Sequence, residues 1–493
     1  MQLIQLVERL AGVRVLLVGD LMVDRYVFGN AERVSPEAPV PVLHFQQEQF
    51  RLGGAANVAA NLATLGAKVR VVGMLGRDEM AIKARALLAE LSVEEDGIVE
   101  VVGRPTVCKM RLVGSAQHRH AQQMLRLDFE DGSPVPASAG EELVARAEAA
   151  MDWADIVVLE DYNKGVLTAE VSRKIIAAAR GAGKAVIVDP ALNADYSKYK
   201  GSSALKLNRP EACRASGMSL GDEKQCEAAA DVLLKNLELD AVIVTLDKEG
   251  AYLATRAGER RKLATRARQV YDVTGAGDML LATLATARGA GAEWAEATAL
   301  ANVSAGLEVE KFGTVPITPS EIVHELLSEA RLSMGKQRTI EQLTPELARH
   351  RAAGKKIVFT NGCFDLIHLG HVKYFRFAKA QGDLLVVGVN TDASIRRLKG
   401  PKRPVVNEED RVGVLEELGS IDYVVRFDED TPKEMIERVR PDVLVKGADY
   451  AKEQVVGWDF VESYGGRVAL APLVDGRSTS NVIERIVKAY SGD

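Results

Sequence analysis

The 493-residue chain is poor in the features that mark secreted, metal-binding and membrane proteins. Its four cysteines show no C-x-x-C spacing, which excludes a disulfide framework and a zinc site and predicts reduced thiols in the cytoplasm. No apolar run is long enough to span a membrane. Glu8 and Arg9 interrupt the apolar centre that a signal peptide needs, so we expect none.

The chain also lacks an excess of positive charge. Its 63 Lys and Arg residues stand against 69 Asp and Glu residues, for a net charge of -6 at pH 7. Nucleic-acid binding relies on a basic surface that neutralises phosphates. We therefore expect neither nucleic acid nor a membrane as a partner. The class that remains is a small-molecule enzyme of two or three domains.

Histidine is scarce, with 7 in the chain, yet His368 and His371 stand in one H-x-G-H segment. An apolar run at 357–360 precedes them and apolar residues at helical spacing follow, which predicts a strand, a turn and a helix. The free N–H groups and the positive dipole end of a helix start suit a phosphate. Gly370 would let the phosphate approach, and both histidines would donate to it. The alternative is a pair of incidental surface histidines.

The segment Thr274–Asp278 is the strongest chemical signal in the first part of the chain. Gly275, Ala276 and Gly277 stand at a predicted helix start, where consecutive backbone N–H groups form an anion hole. Asp278 beside that hole is suited to accept a hydroxyl proton during phosphoryl transfer. Taken alone, the segment also fits a glycine-rich turn with a capping aspartate.

Alternating strand and helix patterns predict an α/β fold. From about residue 140 the rhythm is that of a parallel, doubly wound sheet, and a second alternation beyond 355 predicts a compact Rossmann-like domain. The proline-rich segment 25–52 predicts short strands that project as a lid. We expect domains at 1–330 and 346–493, joined by a linker at 331–345.

The order GD…D, GGAANVA, NxxE and DVTGAGD resembles the ribokinase-like (PfkB) carbohydrate kinase family over residues 10–320. The resemblance implies that Asp278 is the catalytic base and that Gly275, Ala276 and Gly277 are the anion hole. The implied contacts to sugar hydroxyls are Asp24, Gly53, Gly54 and Asn57, with Lys164 for a substrate phosphate. The implied ATP site is Asn208, Arg209, Pro210 and Glu211. Asp24 also fits a turn or cap, and Lys164 also fits a solvated lysine.

The segment GCFDLIHLGH resembles the signature of the nucleotidylyltransferase superfamily, in its cytidylyltransferase-like branch. A sugar 1-phosphate nucleophile is already ionised, so this reaction needs positioning and charge stabilisation and no side-chain base. The implied catalytic residues are His368, His371, Lys399 and Lys446. The implied nucleotide contacts are Thr360, Asn361, Gly362, Phe364, Asp365, Gly370, Ser478, Thr479 and Ser480. Lys399 also fits a solvated loop lysine.

The order of the two domains, a kinase and then this transferase, resembles a family of bifunctional enzymes that synthesise ADP-heptose. ADP-heptose is a precursor of the lipopolysaccharide core. The resemblance implies ATP-dependent phosphorylation of heptose 7-phosphate at O1, then adenylyl transfer from ATP to heptose 1-phosphate. It also implies Mg²⁺ with ATP, a monovalent cation at the kinase site, no assigned protein metal ligand, and a homodimer formed through the lid. Another sugar phosphate, CTP or GTP, and a non-catalytic protein that kept both folds remain alternatives.

Overall fold

The computed structural model describes residues 2–115, 122–192, 195–265, 274–311, 313–333, 335–448, 451–472 and 489. The chain forms two compact units, Met1–Leu327 and Ser328–Asp493. None of the described helices combines the length and apolar character that a membrane span requires.

The first unit holds thirteen described strands and ten described helices. The strands are β1 (Arg14–Gly19), β2 (Leu21–Val34), β3 (Pro41–Gly54), β4 (Lys68–Leu75), β5 (Glu94–Glu100), β6 (Val107–Ser115), β7 (Gln122–Phe129), β8 (Ile156–Glu160), β9 (Ala185–Asp189), β10 (Ala204–Asn208), β11 (Ala241–Thr245), β12 (Ala251–Thr255) and β13 (Arg260–Leu263). The helices are α1 (Gln2–Arg9), α2 (Ala55–Thr64), α3 (Glu79–Glu90), α4 (Ala137–Met151), α5 (Ala169–Gly181), α6 (Arg209–Ser216), α7 (Glu223–Asn236), α8 (Ala276–Gly289), α9 (Trp294–Glu308) and α10 (Pro319–Ser333).

The main sheet has the strand order β13-β12-β11-β10-β9-β8-β1-β4-β5, and its central strands are parallel. Successive residues of β1 enter different cores: Val15 and Leu17 pack with α2 and α8, while Leu16 and Val18 pack with α4 and α5. Helices on both faces explain why the strands read as unbroken apolar runs. The predicted doubly wound class is confirmed. The carboxyl ends of β1, β8, β9 and β10 share one edge, where such sheets bind ligands.

The apolar segment 241–254 forms two antiparallel strands, β11 and β12. The chain reverses through Asp247 (φ 51°) and Gly250 (φ 97°). A side chain at Gly250 would stand 2.0 Å from the Leu263 carbonyl oxygen, so only glycine fits this turn. The apolar pattern concealed the turn because both of its flanks are buried.

The predicted lid is a four-stranded sheet of order β3-β2-β6-β7, and it extends well beyond 25–52. The long strand β2 pairs with β3 in antiparallel fashion and with β6 in parallel fashion. Because side chains alternate along a strand, the sheet presents two chemically different faces.

The second unit is built on a parallel sheet. Its strands are β14 (Gln337–Arg338), β15 (Ile357–Gly362), β16 (Leu384–Asn390), β17 (Tyr423–Phe427), β18 (Val443–Gly447) and β19 (Arg467–Ala471). Its helices are α11 (Ile340–Ala352), α12 (Leu369–Lys379), α13 (Asp392–Lys399), α14 (Glu408–Glu416), α15 (Lys433–Val439) and α16 (Trp458–Ser463). The order β14-β17-β16-β15-β18-β19 reverses direction between β15 and β18. A crevice at such a switch point is the ligand site of a Rossmann-like sheet.

Regular structure begins inside the segment predicted as a linker, 331–345. Gln337 and Arg338 pair with β17, and α11 starts at Ile340 behind a capping box of Thr339 and Gln342. The threonine and glutamine are three residues apart, as that box requires. The predicted final helix from Ser478 lies outside the described residues.

Candidate active sites

Asp278 lies buried in the first turn of α8, at the ligand-binding edge of the main sheet. Its Oδ2 accepts a hydrogen bond from Asn57 Nδ2 at 2.7 Å, and its Oδ1 accepts one from the Tyr162 hydroxyl at 3.0 Å. Burial raises the pKa of Asp278 to about 6. The carboxylate is therefore ionised at neutral pH and more basic than an exposed aspartate.

The start of α8 fits an anion hole because its N-cap, Gly275, has no side chain that could occupy the first N–H groups. Gly275 adopts φ 94°, a conformation that favours glycine, and a Cβ there would stand 2.6 Å from Glu308 Oε1. A Cβ at Gly277 would stand 2.8 Å from Lys206 Nζ and would displace this ammonium. The N–H groups of the first turn have no partner within the helix.

Lys206 is a buried cation that sequence reasoning missed. Its Nζ donates to Asp189 Oδ2 at 2.5 Å. Burial alone would lower the pKa of Lys206, but Asp189 and Glu160 outweigh it and raise the pKa. Lys206 therefore stays charged beside the anion hole and offsets the carboxylates at the ends of β8 and β9. No motif marks it, since it is one position inside an apolar strand.

The predicted sugar contacts come together beside Asp278. A Cβ on Gly53 would stand 3.1 Å from the Asp24 carboxyl carbon. Gly54, at φ 56°, starts α2, which places Asn57 in its first turn. Asp24 is buried within β2 and accepts from Arg111 Nη1 at 2.5 Å, so it is neither a turn residue nor a helix cap.

Asp20 positions the turn that carries Tyr162 and Lys164. Its carboxylate accepts backbone N–H bonds from Tyr162 (2.9 Å), Lys164 (3.0 Å) and Val166 (3.2 Å). Lys164 itself pairs with Glu130 at 2.7 Å and is not a freely solvated lysine. Tyr162 was missed because its partner Asp278 is 116 residues away in the chain.

The N-x-x-E segment forms a capping box at the start of α6. Asn208 Oδ1 accepts from the Glu211 amide at 2.9 Å, and Glu211 Oε2 accepts from the Asn208 amide at 2.7 Å. Arg209 donates to Glu249 at 2.8 Å and Pro210 lies in the first helical turn. The box fixes Glu211 at the edge of the sheet. It also gives Asn208 and Glu211 a structural role, because together they cap α6. Among the described residues, no three His, Cys, Asp or Glu side chains are grouped to hold a metal.

In the second unit, His368 is the N-cap of α12. Its Nδ1 accepts the Gly370 amide at 3.1 Å, so a neutral His368 carries its proton on Nε2. The Gly370 N–H is therefore occupied by this cap. His368 and His371 stack with ring centroids 4.1 Å apart. Burial, and then the neighbouring His368, lower the pKa of His371 to about 4, which keeps its ring neutral.

Asp365, in the turn after β15, holds the loop that follows α13 by hydrogen bonds. Its carboxylate accepts from Arg403 Nε at 2.5 Å and from the Val405 and Val406 amides at 2.8 and 2.9 Å. Phe364, at φ 46°, packs its ring against His371, with centroids 5.6 Å apart. Arg403 was missed by the sequence reasoning, although it stands in the basic stretch after Lys399.

The strand ends β15 and β18 meet at the crevice. Lys446 Nζ donates to the Asn361 carbonyl at 3.2 Å. Thr360 bonds the Tyr374 hydroxyl at 2.6 Å, which fixes α12 against β15. A Cβ at Gly362 would stand 3.0 Å from the Phe364 ring, so a larger residue there would require this ring to shift.

Arg411 is a fully buried side chain that holds this site together and was also missed. It donates to the Cys363 carbonyl at 2.6 Å and to Asp392 Oδ1 at 2.7 Å. Burial raises the pKa of the Cys363 thiol, while Lys399, at the end of α13, acts on it in the opposite direction. Lys399 is exposed. Ser478, Thr479 and Ser480 lie outside the described residues.

Comparison with known protein families assigns each of the two units to a family. The family described as pfkB family carbohydrate kinase matches residues 14–321, and the family described as cytidylyltransferase-like matches residues 359–476. Fold and sites thus define a carbohydrate kinase joined to a nucleotidyltransferase, two kinds of enzyme that use ATP with a divalent metal ion and act on nucleotides and sugar phosphates.

Full-length relatives narrow the assignment. The bifunctional protein HldE of Syntrophotalea carbinolica is 46% identical over 98% of this chain and 97% of that protein. The HldE protein of Methylobacillus flagellatus is 46% identical over 96% of each. The chain belongs to the family of HldE bifunctional proteins. It is a bifunctional enzyme with heptose kinase and adenylyltransferase activities, and the predicted family and function are confirmed.

Solved structures support the fold of the first unit. Ribokinase of Arabidopsis thaliana, complexed with ribose and ATP, aligns with a TM-score of 0.51 at 22% identity, over 64% of this chain and 99% of that one. Phosphofructokinase-2 of Escherichia coli, in complex with potassium, aligns with a TM-score of 0.53 at 17% identity, over 64% of this chain and 97% of that one. At this identity the likeness shows a shared ribokinase-like fold.

Proposed function

We propose that the first unit transfers the γ-phosphoryl group of ATP to O1 of D-glycero-β-D-manno-heptose 7-phosphate. The second unit then transfers the adenylyl group of ATP to heptose 1-phosphate, releasing pyrophosphate and ADP-heptose. A separate phosphatase removes the 7-phosphate between the two steps. The observation that carries the proposal is the buried carboxylate of Asp278, which Asn57 and Tyr162 orient at the start of α8.

The kinase step uses a base because a sugar hydroxyl is not ionised at neutral pH. Asp278 accepts the O1 proton as O1 attacks the γ-phosphorus, and the bond from that phosphorus to the leaving ADP oxygen breaks. The N–H groups of Gly275, Ala276 and Gly277 stabilise the negative charge on the transferred group. Asp24, with Gly53 and Gly54 beside it, holds sugar hydroxyls.

Magnesium enters the kinase site as Mg–ATP. The capping box uses Oε2 of Glu211, and its second oxygen would accept hydrogen bonds from the water shell of a magnesium ion bound to the ATP phosphates. Asn208, Arg209 and Pro210 shape the same helix start. The potassium in the phosphofructokinase-2 structure supports a test for a monovalent cation as activator.

The adenylyl transfer uses no side-chain base. An ionised phosphate oxygen of heptose 1-phosphate attacks the α-phosphorus of ATP, and the bond to pyrophosphate breaks. His368 donates from Nε2, neutral His371 donates beside it, and Lys399 and Lys446 offset the charge that develops. Ser478, Thr479 and Ser480 remain our proposed phosphate contacts. Asp365 acts by holding the loop 403–406.

We also propose a homodimer formed through the outer face of the lid. Leu125, Leu127 and Phe129 alternate along β7 and are 52%, 41% and 49% exposed, and Phe45 of β3 is 59% exposed. The paired strand β6 places Met110 opposite Leu127 on the same face. An apolar sheet face of this kind is typical of a protein interface.

The experiment incubates the purified protein with ATP, CTP or GTP and a panel of sugar phosphates, with products identified by mass spectrometry. A heptose 1,7-bisphosphate from heptose 7-phosphate and ADP-heptose from heptose 1-phosphate are the expected products. Activity on another sugar phosphate alone, or transfer from CTP or GTP in preference to ATP, would replace the proposed substrates.

A further inference from the structure

Arg104 lies in the segment between β5 and β6 and is a buried cation. Its Nη2 donates to the backbone carbonyls of Asp131 (2.6 Å), Ser133 (2.7 Å) and Lys164 (2.7 Å). Within the described part of the chain, no carboxylate accepts a hydrogen bond from Arg104; the nearby carboxylate of Asp131 accepts the Ser133 amide at 2.9 Å instead. A buried charge needs hydrogen bonds to replace those of water. Arg104 obtains them from carbonyls, and so it fixes the segments to which those carbonyls belong.

The carbonyls belong to two segments that are distant in the sequence. One segment follows β7, and the other is the turn after β8, 161–166. The two segments also bond directly, since the Val135 amide donates to the Gly165 carbonyl at 3.0 Å. Gly165 adopts φ 95°, and a Cβ there would stand 2.1 Å from the Ser133 carbonyl oxygen and 2.8 Å from Arg104 Nη2. The contact is thus too close for a side chain at position 165.

The turn after β8 carries the Tyr162 hydroxyl, which donates to Asp278 at 3.0 Å. Within this turn, Asn163 adopts φ 56°, a conformation that is uncommon outside glycine and persists where the surroundings fix it. Asp20 holds the turn by accepting three of its N–H groups. Arg104 holds the same turn by donating to one of its carbonyls. Two buried charges of opposite sign thus bind complementary backbone groups of one strained turn.

Arg104 also stands at the base of the lid hairpin, which is the pair of antiparallel strands β6 and β7. Cys108 near the start of β6 is paired with Phe129 at the end of β7, so these two ends lie side by side. The start of β6 follows Arg104 closely, and the end of β7 leads into the carbonyls that Arg104 binds. The position of the hairpin and the position of Tyr162 are therefore linked through this side chain.

We propose that Arg104 is a positioning residue of the kinase, which fastens the base of the lid hairpin to the turn after β8 and so holds the Tyr162 hydroxyl against Asp278. The inference rests on the proposed function, in which Asp278 is the base. In this role Arg104 touches neither the substrate nor the reacting atoms. It acts through the Lys164 carbonyl, and its loss releases the strained turn and with it the hydrogen bond from Tyr162.

The test measures the kinase kcat of Arg104→Met between pH 6 and pH 8, with heptose 7-phosphate as substrate. The Tyr162 hydrogen bond lowers the pKa of Asp278, so a variant that loses this bond has a smaller fraction of ionised base at low pH. We expect kcat to fall at least about fivefold near pH 6 and by a smaller factor near pH 8. The other charged groups near Asp278 are the same in the variant and the wild type; they are Lys206, Asp189 and Glu160.

The double variant Arg104→Met/Tyr162→Phe shows whether Arg104 acts through Tyr162. Independent losses multiply in the rate, whereas losses along a shared path do not. We expect the double variant to be no slower than the slower single variant at either pH. The matched control is Arg146→Met, because Arg146 of α4 also donates to two backbone carbonyls, at 2.7 and 2.9 Å, but these carbonyls belong to β5. This control should keep the wild-type pH profile.

Arg104→Lys keeps the positive charge and hydrogen-bond donors, and it should recover most of the kcat that Arg104→Met loses near pH 6. Thermal unfolding reports whether the first unit of each variant folds. If Arg104→Met does not fold, Arg104→Gln takes its place with the same expected results, because glutamine keeps two donors for the carbonyls.

An equal fall of kcat at both pH values, or losses that multiply in the double variant, would overturn the inference. If the wild type phosphorylates no sugar phosphate, the proposed function fails. If the wild type does so and the Arg104 variant keeps the wild-type pH profile, only this inference fails.

Discussion

The two candidate active sites are built alike but differ in the groups around the reaction centre. Each stands at the carboxyl ends of parallel strands, where a helix start meets a glycine-containing turn. Around the proposed base, the kinase site gathers buried carboxylates near the ammonium of Lys206, whereas the transferase site brings together histidines and a lysine at its helix start and strand ends. The difference follows from the nucleophile, because a hydroxyl must lose a proton during attack and a phosphate has already lost it.

Burial acts on both sites and has opposite chemical results. It favours the neutral form of any ionisable group. It therefore raises the pKa of Asp278 to about 6, which makes a better base, and lowers the pKa of His371 to about 4, which keeps a neutral hydrogen-bond donor. One physical effect thus prepares a proton acceptor in one unit and a charge-stabilising group in the other.

The largest effect that this comparison predicts is for Asp278→Asn. The kinase rate should fall by about 10² to 10⁴, the contribution of a positioned base. Adenylyl transfer by the same protein should keep its wild-type rate. Both rates are measured by quantifying heptose bisphosphate and ADP-heptose. A kinase rate near that of the wild type in Asp278→Asn would show that Asp278 is not the base.

His371→Ala gives the reciprocal result. Loss of one donor to the developing charge should lower adenylyl transfer by about 10² to 10³, with no change in the kinase rate. The matched control is His350→Ala, since His350 lies in the same unit and contacts Tyr423 at 3.0 Å, away from the turn after β15. A similar loss in both variants would show that His371 has only a structural role.

Arg411→Met tests whether the second site depends on one buried cation. Removing a fully buried partner of Asp392 should destabilise the second unit by about 3–5 kcal/mol. The temperature at which heating abolishes adenylyl transfer should drop, while the temperature at which it abolishes the kinase activity should not change. Arg397→Met removes exposed pairs to Asp428 and Asp430, which solvent screens, and should leave the temperature at which adenylyl transfer is lost nearly unchanged. Equal shifts in the two variants would contradict this account.

Tyr162→Phe should have the smallest effect, and it depends on pH. The Tyr162 hydrogen bond lowers the pKa of Asp278, so its loss raises that pKa further. Asp278 acts in its ionised form, and the kinase rate is lost as the pH falls through its pKa of about 6. The variant should therefore be slower by about fivefold near pH 6 and close to the wild type near pH 8.

The control for this prediction is Tyr199→Phe, which removes a buried tyrosine bond to Asp161 and leaves Asp278 untouched. The substrate phosphate also titrates near pH 6, but it does so equally with each protein. The difference between variant and wild type therefore isolates Asp278. If Tyr162→Phe and the wild type have the same pH profile, the Tyr162 hydroxyl does not influence the pKa of Asp278.

The sequence predicted best what lies within one local segment. The start of α8 and the His368–His371 turn each combine a strand-to-helix junction with glycine and a reactive side chain, so their local pattern carries the chemistry. The fold class followed from alternating apolar runs for the same reason. Asn208 and Glu211 were also predicted from one segment, and the structure adds that they cap α6.

What the sequence did not reveal depends on contacts between distant segments. Asn57 and Asp278 are 221 residues apart, and Arg411 and the Cys363 carbonyl are 48 apart. In the sequence, Lys206 is only a charged residue within an apolar strand. Its role becomes visible in the structure, where β9 places Asp189 beside it. These roles are products of sheet register, which one sequence does not display.

The most direct test of the two-site account is complementation. Asp278→Asn and His371→Ala are each supplied with heptose 7-phosphate, ATP, Mg²⁺ and a phosphatase that removes the 7-phosphate from the bisphosphate, and ADP-heptose is quantified by mass spectrometry. The account predicts that ADP-heptose forms at least about 100-fold more slowly with either variant alone and that an equimolar mixture restores its formation. Formation near the wild-type rate by a single variant, or no restoration by the mixture, would contradict the assignment of one reaction to each site.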